Sequence, residues 1–182
     1  MYGMSLLGNA TGSDCYVVAA YCVIEVLSYS AYGTTGCTPH EGYVKMNGSS
    51  VWEHGWCSDL ASARGVSILV VDPVSCTARD SRTFDTSADS GAADDLKNYL
   101  DGLSGGNVII GVTGEEPREL LDDALSTLDQ FGVYVSDVQQ RGSFAFIVQK
   151  DFEAKAMFDK VLTEEESDIA PAHLNATIIG NV

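Results

Sequence analysis

Two arginine residues are the strongest candidates for contacts with a ligand in this chain. Arg64 and Arg141 each precede a glycine at the predicted start of a strand, and lysine and arginine together number only 10. A planar guanidinium holds several N–H donors in a fixed fork, which suits sugar hydroxyls or carboxylates. The alternative is that each arginine pairs with a neighbouring aspartate and serves the fold alone.

Other residue types give no pattern typical of catalysis or metal binding. His54 and Cys57 are spaced as H-x-x-C, but no second pair of zinc ligands accompanies them. The sequence has no G-x-S-x-G motif, and "GLSGGN" lacks the ending of a phosphate-binding loop. The acidic run from Asp85 to Asp95 lacks the ligand spacing of a calcium loop. We therefore expect no enzyme, no cofactor and no metal site.

The charge balance argues against two classes of partner. The chain has 26 Asp and Glu residues and a formal net charge of -16, so nucleic acid and anionic lipid would both be repelled. The early apolar stretch "CYVVAAYCVIEVL" is too short to span a bilayer. We expect neither nucleic-acid binding nor membrane insertion, and the oligomeric state is not predicted.

Cysteines and glycosylation motifs favour the secretory pathway. The chain has five cysteines without a CxxC motif, and N-x-S/T sequons make Asn9, Asn47 and Asn175 candidate glycosylation sites. Together they indicate an extracellular or secreted protein. No basic segment precedes the early apolar stretch, so we expect a fragment of a longer secreted protein whose leader lies upstream.

The elements that would position the arginines form a β-rich pattern with two helices. Asn47-Gly48 is a strong hairpin signal, and the β-branched run "GVSILVV" predicts a strand buried on both faces. Further strands are predicted at 15–27, 77–84, 107–112, 133–138, 143–150 and 175–182. Helices are predicted from 92 to 103, stopped by Gly105-Gly106, and from 117 to 131.

The acidic run before the first helix has a structural explanation. Asp85, Thr86 and Ser87 could accept hydrogen bonds from free helix amides, and the later aspartates complement the helix dipole. The second helix would bury a stripe made of Leu120, Leu121, Ala124, Leu125 and Leu128.

The stretch from Ala63 to Val112 resembles the interleukin-like EMT inducer domain, also called the ILEI, PANDER-like or GG domain. The resemblance rests on the R-G strand start at Arg64, the R-x-F-D-T step from Arg82 to Thr86, a helix and an apolar strand. It continues with a second helix and the strand "RGSFAFI", which begins at Arg141. The similarity covers about residues 43–149.

This resemblance implies an α+β protein with a compact β-β-α fold. Two curved antiparallel sheets would form a sandwich-like core with two main flanking helices. Residues 1–36 would be an N-terminal segment with a candidate strand and disulfide, residues 37–150 the ILEI-like domain, and residues 151–182 an acidic tail or helix with a candidate edge strand.

The resemblance also implies a function and site residues. It favours a non-catalytic extracellular module that binds carbohydrate, with Arg64 and Arg141 as donors. An acidic residue of the family falls on Gly114, so Glu115 is the candidate acceptor, and the family's Asp-x-Trp is Gly142-Ser143-Phe144 here. The alternatives are a secreted cytokine-like protein that acts through a protein receptor, and a scaffolding module. The expected partner is thus a glycan or a cell-surface receptor.

The resemblance bears on the disulfides as well. Cytokine-like members carry a cysteine at the position of Cys57. Its partner would be Cys22 or Cys37.

Overall fold

The computed structural model describes residues 20–28, 41–55, 64–114, 117–139, 142–151, 157–161 and 172–180. The strands are β1 (Ala20–Ser28), β2 (Glu41–Met46), β3 (Ser49–Gly55), β4 (Val66–Asp72), β5 (Thr77–Phe84), β6 (Val108–Thr113), β7 (Ser143–Gln149), β8 (Met157–Val161) and β9 (Ala172–Gly180). The helices are α1 (Ala92–Gly102) and α2 (Leu125–Gln130), and a 3-10 turn at Asp122–Ala124 leads into α2.

These elements form three layers. A four-stranded sheet of order β3-β2-β1-β9 faces a five-stranded sheet of order β5-β4-β6-β7-β8, and the neighbouring strands are antiparallel. One apolar cluster fills the space between the sheets, and a second lies between the five-stranded sheet and the helices. Burial of both faces of one sheet therefore organises the domain. The predicted α+β sandwich with a β-β-α arrangement is confirmed.

The interior strand β4 shows why its sequence is almost continuously apolar. Ile68 and Val70 belong to the cluster beneath the helices, whereas Leu69 and Val71 belong to the cluster between the sheets. Every residue from Val66 to Val71 is buried, as the β-branched run predicts. Its neighbour β5 is an edge strand whose residues are all exposed except Phe84.

The predicted hairpin is also confirmed. Strands β2 and β3 are joined at Asn47 and Gly48, whose φ angles are 50° and 80°. Positive φ at both central residues is what a type I′ turn requires, and Asn-Gly is the sequence that adopts it most readily.

The two sheets are joined at both ends of the sandwich. At one end, Ser28 of β1 hydrogen-bonds Thr113 of β6: their hydroxyl oxygens are 2.7 Å apart, and the Thr113 amide donates to Ser28 Oγ at 2.8 Å. At the other end, a disulfide links Cys22 of β1 to Cys76 in the turn between β4 and β5.

This disulfide corrects one prediction. Cys22 does form a disulfide, but its partner is Cys76 and not Cys57. The antiparallel return of β5 brings the β4–β5 turn over β1, a proximity that linear spacing does not reveal. Cys37 and Cys57 lie outside the described residues.

The strand expected at 133–138 is wrong. Val133, Val135 and Val138 are buried in the cluster beneath the helices, but the segment joins neither sheet. Strand β7 is already paired with β6 on one side and β8 on the other, so no strand edge is free beside it. The pattern therefore predicted the alternating burial of the segment correctly, but its pairing as a strand incorrectly.

The second helix is shorter than its apolar stripe predicts. The Leu120 amide donates to the Thr86 carbonyl at 2.8 Å, and the Pro117 carbonyl accepts from Thr86 Oγ1 at 2.7 Å. These contacts engage backbone groups that would otherwise form hydrogen bonds within an α-helix. Helix α2 therefore begins only at Leu125. The stripe still faces the core through Leu121, Ala124 and Leu128.

Two other boundaries differ from expectation. Helix α1 ends at Gly102, before Gly105, and its N-cap Gly91 has no side chain to cap the first helix amides. The Gly91 amide itself donates to Asp89 Oδ1 at 2.9 Å. In the described part of residues 151–182 the structure has strands and not a helix: β8 pairs with β7, and β9 pairs with β1 along its whole length. The domain boundaries at residues 36 and 150 stay predictions.

Candidate functional site

The register of three adjacent strands defines one end of the five-stranded sheet. Val66, the first residue of β4, pairs with Thr113, the last residue of β6, and Val112 pairs with Ala145 near the start of β7. The chain therefore enters β4, leaves β6 and enters β7 at the same end. With neighbouring strands about 4.8 Å apart, β4 and β7 lie about 10 Å apart on either side of β6.

Arg64, two residues before β4, forms an ion pair at this end. Its Nη2 donates to Asp85 Oδ2 at 2.8 Å, and the two side chains are 35% and 27% exposed. Asp85 Oδ1 also accepts from the Ala88 amide at 3.1 Å, which fixes the carboxylate. Arg64 Nε is buried and has no hydrogen-bond partner among the residues that the structure describes. The pairing with an aspartate, one of the two alternatives for this arginine, is thus present, and both charged groups still reach solvent.

The backbone beside Arg64 has an unusual conformation that only glycine accommodates. Gly65 has a φ of 83°, and a Cβ at this position would lie 2.1 Å from the Phe84 carbonyl oxygen and 2.4 Å from the Thr86 nitrogen. The close approach lets the Gly65 carbonyl accept a hydrogen bond from the Gly114 amide at 2.9 Å. The R-G pair thus holds the start of β4 against the end of β5 and the end of β6.

Thr86 anchors the segment that follows β6. It is fully buried, and it bonds Pro117 through its hydroxyl and Leu120 through its carbonyl. Gly114 and Pro117, which flank Glu115 and Glu116 in the sequence, are therefore both held beside the Arg64–Asp85 pair. The sequence pattern predicts helix-capping contacts for Asp85, Thr86 and Ser87, but α1 has no side-chain cap. Asp85 Oδ1 accepts from the Ala88 amide, which precedes the helix, and Thr86 is turned into the core, where its hydroxyl donates to the Pro117 carbonyl.

The other two predicted ligand contacts, Glu115 and Arg141, lie outside the described residues. Close to Arg141, the Gly142 amide donates to the Gln139 carbonyl at 2.9 Å, and the Phe144 amide donates to Thr113 Oγ1 at 3.2 Å. These bonds fix the approach to β7 beside the end of β6. The shared role of Arg64 and Arg141 as donors to a carbohydrate stays a prediction.

A second polar cluster, which the sequence pattern did not predict, lies on β5 and α1. Arg82 and Asp80 of β5 contact Tyr99 of α1 through a cation–π contact and a hydrogen bond. The signal available in the sequence was the alternation of Asp80 and Arg82 on one face of a predicted strand. It identifies the face but not the helix that packs against it.

The sequons differ in their surroundings. The Asn47 side chain is engaged on both sides, because its Oδ1 accepts from the Val23 amide at 3.0 Å and its Nδ2 donates to Cys76 Sγ at 3.3 Å. Asn175 is exposed on β9, where its Nδ2 lies 3.4 Å from His173 Nε2. Asn9 lies outside the described residues.

The described part of the chain lacks both a membrane-spanning helix and a metal-binding group. It contains no helix that is both long and apolar enough to cross a bilayer. It also contains no group of three or more His, Cys, Asp or Glu side chains arranged to hold a metal ion.

Comparison with known proteins gives one match. Residues 64–152, which run from the R-G pair through β7, match the family described as interleukin-like EMT inducer (ILEI). No curated protein matches the chain.

Proposed function

Because the chain carries an interleukin-like EMT inducer domain over residues 64–152, we propose that it is a non-catalytic extracellular module that binds carbohydrate beside Arg64. The family indicates an extracellular, cytokine-like module. The Cys22–Cys76 disulfide supports the same location, because such bonds persist in oxidising compartments.

The observation that carries the proposal is the register of β4, β6 and β7. Through Val66↔Thr113 and Val112↔Ala145, it brings the start of β4, the end of β6 and the start of β7 to one end of the sheet. The positions of Arg64, Glu115 and Arg141 each lie two residues from one of these strand ends. This is the arrangement that a shared ligand pocket needs.

The chemistry follows from the Arg64–Asp85 pair. A sugar hydroxyl both donates and accepts hydrogen bonds, so it fits where a guanidinium and a carboxylate lie 2.8 Å apart and both reach solvent. Asp85 fixes the plane of the guanidinium and thereby reduces the entropy lost when a ligand binds. In this proposal Arg141 supplies a second donor fork and Glu115 an acceptor.

The test is glycan-array binding followed by titration of the best glycan. Arg64→Ala and Arg141→Ala should each weaken binding about tenfold or more, which corresponds to about 1.4 kcal/mol. Arg79→Ala is the matched control, because Arg79 also pairs with an aspartate of the same sheet but lies near the disulfide end. Unchanged glycan binding in the Arg64→Ala, Arg141→Ala double variant would refute the proposal.

A second candidate function, binding to a protein receptor, is favoured by the outer face of the four-stranded sheet. Val23 and Ile179 are 49% and 57% exposed. They lie close together, because Val23 pairs with Thr177 and Tyr21 pairs with Ile179. An apolar surface of this kind suits protein contact better than sugar contact.

The two functions can be separated by cell-surface binding of the labelled protein. Receptor binding predicts that Val23→Thr combined with Ile179→Thr lowers binding, while removal of cell-surface glycans with glycosidases leaves it unchanged. Carbohydrate binding predicts the reverse. Threonine is chosen because it retains the strand propensity of the residues that it replaces.

A further inference from the structure

A groove of about 660 Å³ lies between β5 and α1, separate from the Arg64–Asp85 pair. Asp80, Arg82 and Phe84 line it from the strand, and Tyr99 and Leu103 line it from the helix side. Strand β5 is an edge strand, so this wall of the groove is not covered by a neighbouring strand. The groove combines apolar rings with charged groups, which is a common composition of small-ligand sites.

The guanidinium of Arg82 is held in a fixed orientation at this groove. Its Nε donates to Asp80 Oδ2 at 3.2 Å, and its central carbon lies 4.5 Å from the centroid of the Tyr99 ring. The Tyr99 hydroxyl donates to the same carboxylate oxygen at 3.0 Å. Within the described residues, no acceptor contacts the terminal nitrogens of Arg82. A pre-oriented fork with free donors is therefore available to a ligand.

The protonation states of this cluster stay constant over the neutral range. Burial, followed by the bond to Asp80, raises the pKa of Tyr99 to about 12. The hydrogen bond from Tyr99 is the main cause that lowers the pKa of Asp80. Tyr99 therefore remains a donor and Asp80 an ionised acceptor.

The helix contributes two polar side chains that are unpaired within the described part of the chain. Asp95 and Asn98 line the groove, are exposed, and make no side-chain hydrogen bond or ion pair with any described residue. Gly102 completes this wall, and a Cβ placed there would meet no atom within 4 Å. The groove thus offers free donors on Arg82, a free acceptor on Asp95, and both on Asn98.

This set of groups selects the class of ligand. An anion would be repelled by Asp95 and by the net charge of -16. A cation would meet Arg82, and a purely apolar ligand would strip water from the polar walls without replacing its hydrogen bonds. Hydroxyl groups satisfy donors and acceptors together, while the apolar face of a sugar ring can rest on Phe84 and Leu103. We propose that this groove is a second site, which binds a neutral saccharide independently of Arg64.

The first experiment locates binding by ¹H–¹⁵N NMR. The probes are neutral di- to tetrasaccharides of hexoses and N-acetylhexosamines, each at about 10 mM, tenfold above a Kd of 1 mM. We expect at least one probe to shift the amides of Arg82, Asn98 and Tyr99. If none shifts them, or if sulfated or uronate-containing saccharides shift them more strongly, the proposal is wrong.

A matched pair of variants tests the role of the helix wall. Asp94 and Asp95 are adjacent, both exposed and both in the first turn of α1, but only Asp95 lines the groove. Both substitutions to alanine remove the same charge from the helix N-terminus. Asp95→Ala should weaken saccharide binding at least about threefold, and Asp94→Ala should leave it unchanged. Equal effects of the two substitutions would overturn the assignment.

A second pair tests the groove by filling it. Gly102→Ala adds only a Cβ in open space, whereas Gly102→Gln extends a side chain from the groove wall, and both favour the helix. We expect Gly102→Gln to abolish the NMR shifts and Gly102→Ala to retain them. Retained shifts in a folded Gly102→Gln protein would contradict the site.

The same spectra separate this inference from the proposed function. If the groove is an independent site, the saccharide-induced shifts of its amides persist in the Arg64→Ala variant. This holds whether or not that variant still binds carbohydrate at the end of the sheet. If Arg64→Ala abolishes them, the groove is not an independent site. Binding beside Arg64 that is unaffected by Gly102→Gln would support the proposed function whether or not the groove binds.

Discussion

Cys22 and Cys76 join the two sheets of the sandwich at the end opposite Arg64, with their Cα atoms 5.3 Å apart. Cys22 is in β1, and Cys76 lies in the turn where β4 reverses into β5. The two cysteines are 54 residues apart in the sequence, so the disulfide closes a long loop and restricts the unfolded chain.

Removing this disulfide should lower stability substantially. The loop-closure entropy for this separation corresponds to about 4 kcal/mol, which should lower the melting temperature of Cys22→Ala/Cys76→Ser by roughly 10 °C. Calorimetry under oxidising and reducing conditions measures the effect. Reduction should bring the wild-type melting temperature down to that of the variant. An identical wild-type melting temperature with and without reductant would contradict the prediction.

Gly65→Ala should be among the most destabilising substitutions in the domain. The added Cβ would lie 2.1 Å from the Phe84 carbonyl oxygen, in addition to the cost of the positive φ. We expect a loss of about 4 kcal/mol or failure to fold. Gly48→Ala is the control, because Gly48 also has a positive φ of 80° but a Cβ there would meet nothing within 4 Å. Gly48→Ala should lower the free energy of unfolding, measured with urea, by only about 1 kcal/mol. Equal losses in the two variants would show that steric crowding at Gly65 is not the cause.

Asp72 should make stability depend on pH in the acid range. The bond from Arg79, with those from the Val74 and Ser75 amides, lowers the pKa of Asp72 from 3.8 to about 2 in the folded protein. Its stabilising contribution is therefore complete above pH 3.8 and disappears as the pH falls towards 2. We expect Asp72→Asn to be less stable than wild type at pH 6, with the difference shrinking between pH 4 and 2.

Denaturant unfolding at several pH values tests this expectation. Arg79→Gln should narrow the pH range over which the stabilising contribution of Asp72 is lost, because it removes the largest cause of the lowered pKa of Asp72. A stability difference between wild type and Asp72→Asn that stays constant from pH 6 to pH 2 would count against the assignment.

Glycan occupancy should differ between the two described sequons. The Asn47 side chain is held by Val23 and Cys76, whereas Asn175 lies exposed on β9. Mass spectrometry of protein secreted from mammalian cells should find Asn175 occupied and Asn47 largely unmodified. Replacing both cysteines of the Cys22–Cys76 pair should raise the occupancy of Asn47, since the sulfur that its amide contacts is removed. Full occupancy of Asn47 in the wild type would disprove the expectation.

Much of the fold could be predicted because local signals agreed with tertiary packing. The Asn47-Gly48 turn, the doubly buried β4 and the amphipathic α1 each carry a pattern that only one structure satisfies. The strand expected at Val133–Val138 failed because alternation reports burial on one side and not the presence of a pairing strand. The predicted start of the second helix was wrong because a distant residue, Thr86, hydrogen-bonds backbone groups that the longer helix would have used.

Less of the site could be predicted. The R-G strand start identified Arg64, but its partner Asp85 is separated from it by 21 residues and was interpreted as a helix cap. Likewise, the contact of Arg82 with Tyr99 depends on how α1 lies across the sheet. Side-chain partners of this kind are set by packing between elements, and periodicity within one element carries no information about them.

The Ser28–Thr113 hydrogen bonds have a consequence for how a ligand would be received. Together with the Cys22–Cys76 disulfide at the opposite end, these hydrogen bonds fix the two sheets relative to each other. One sheet cannot slide over the other without breaking a buried bond. The strand ends beside Arg64 are therefore held in place before any ligand arrives. Binding there would require no sliding of one sheet over the other.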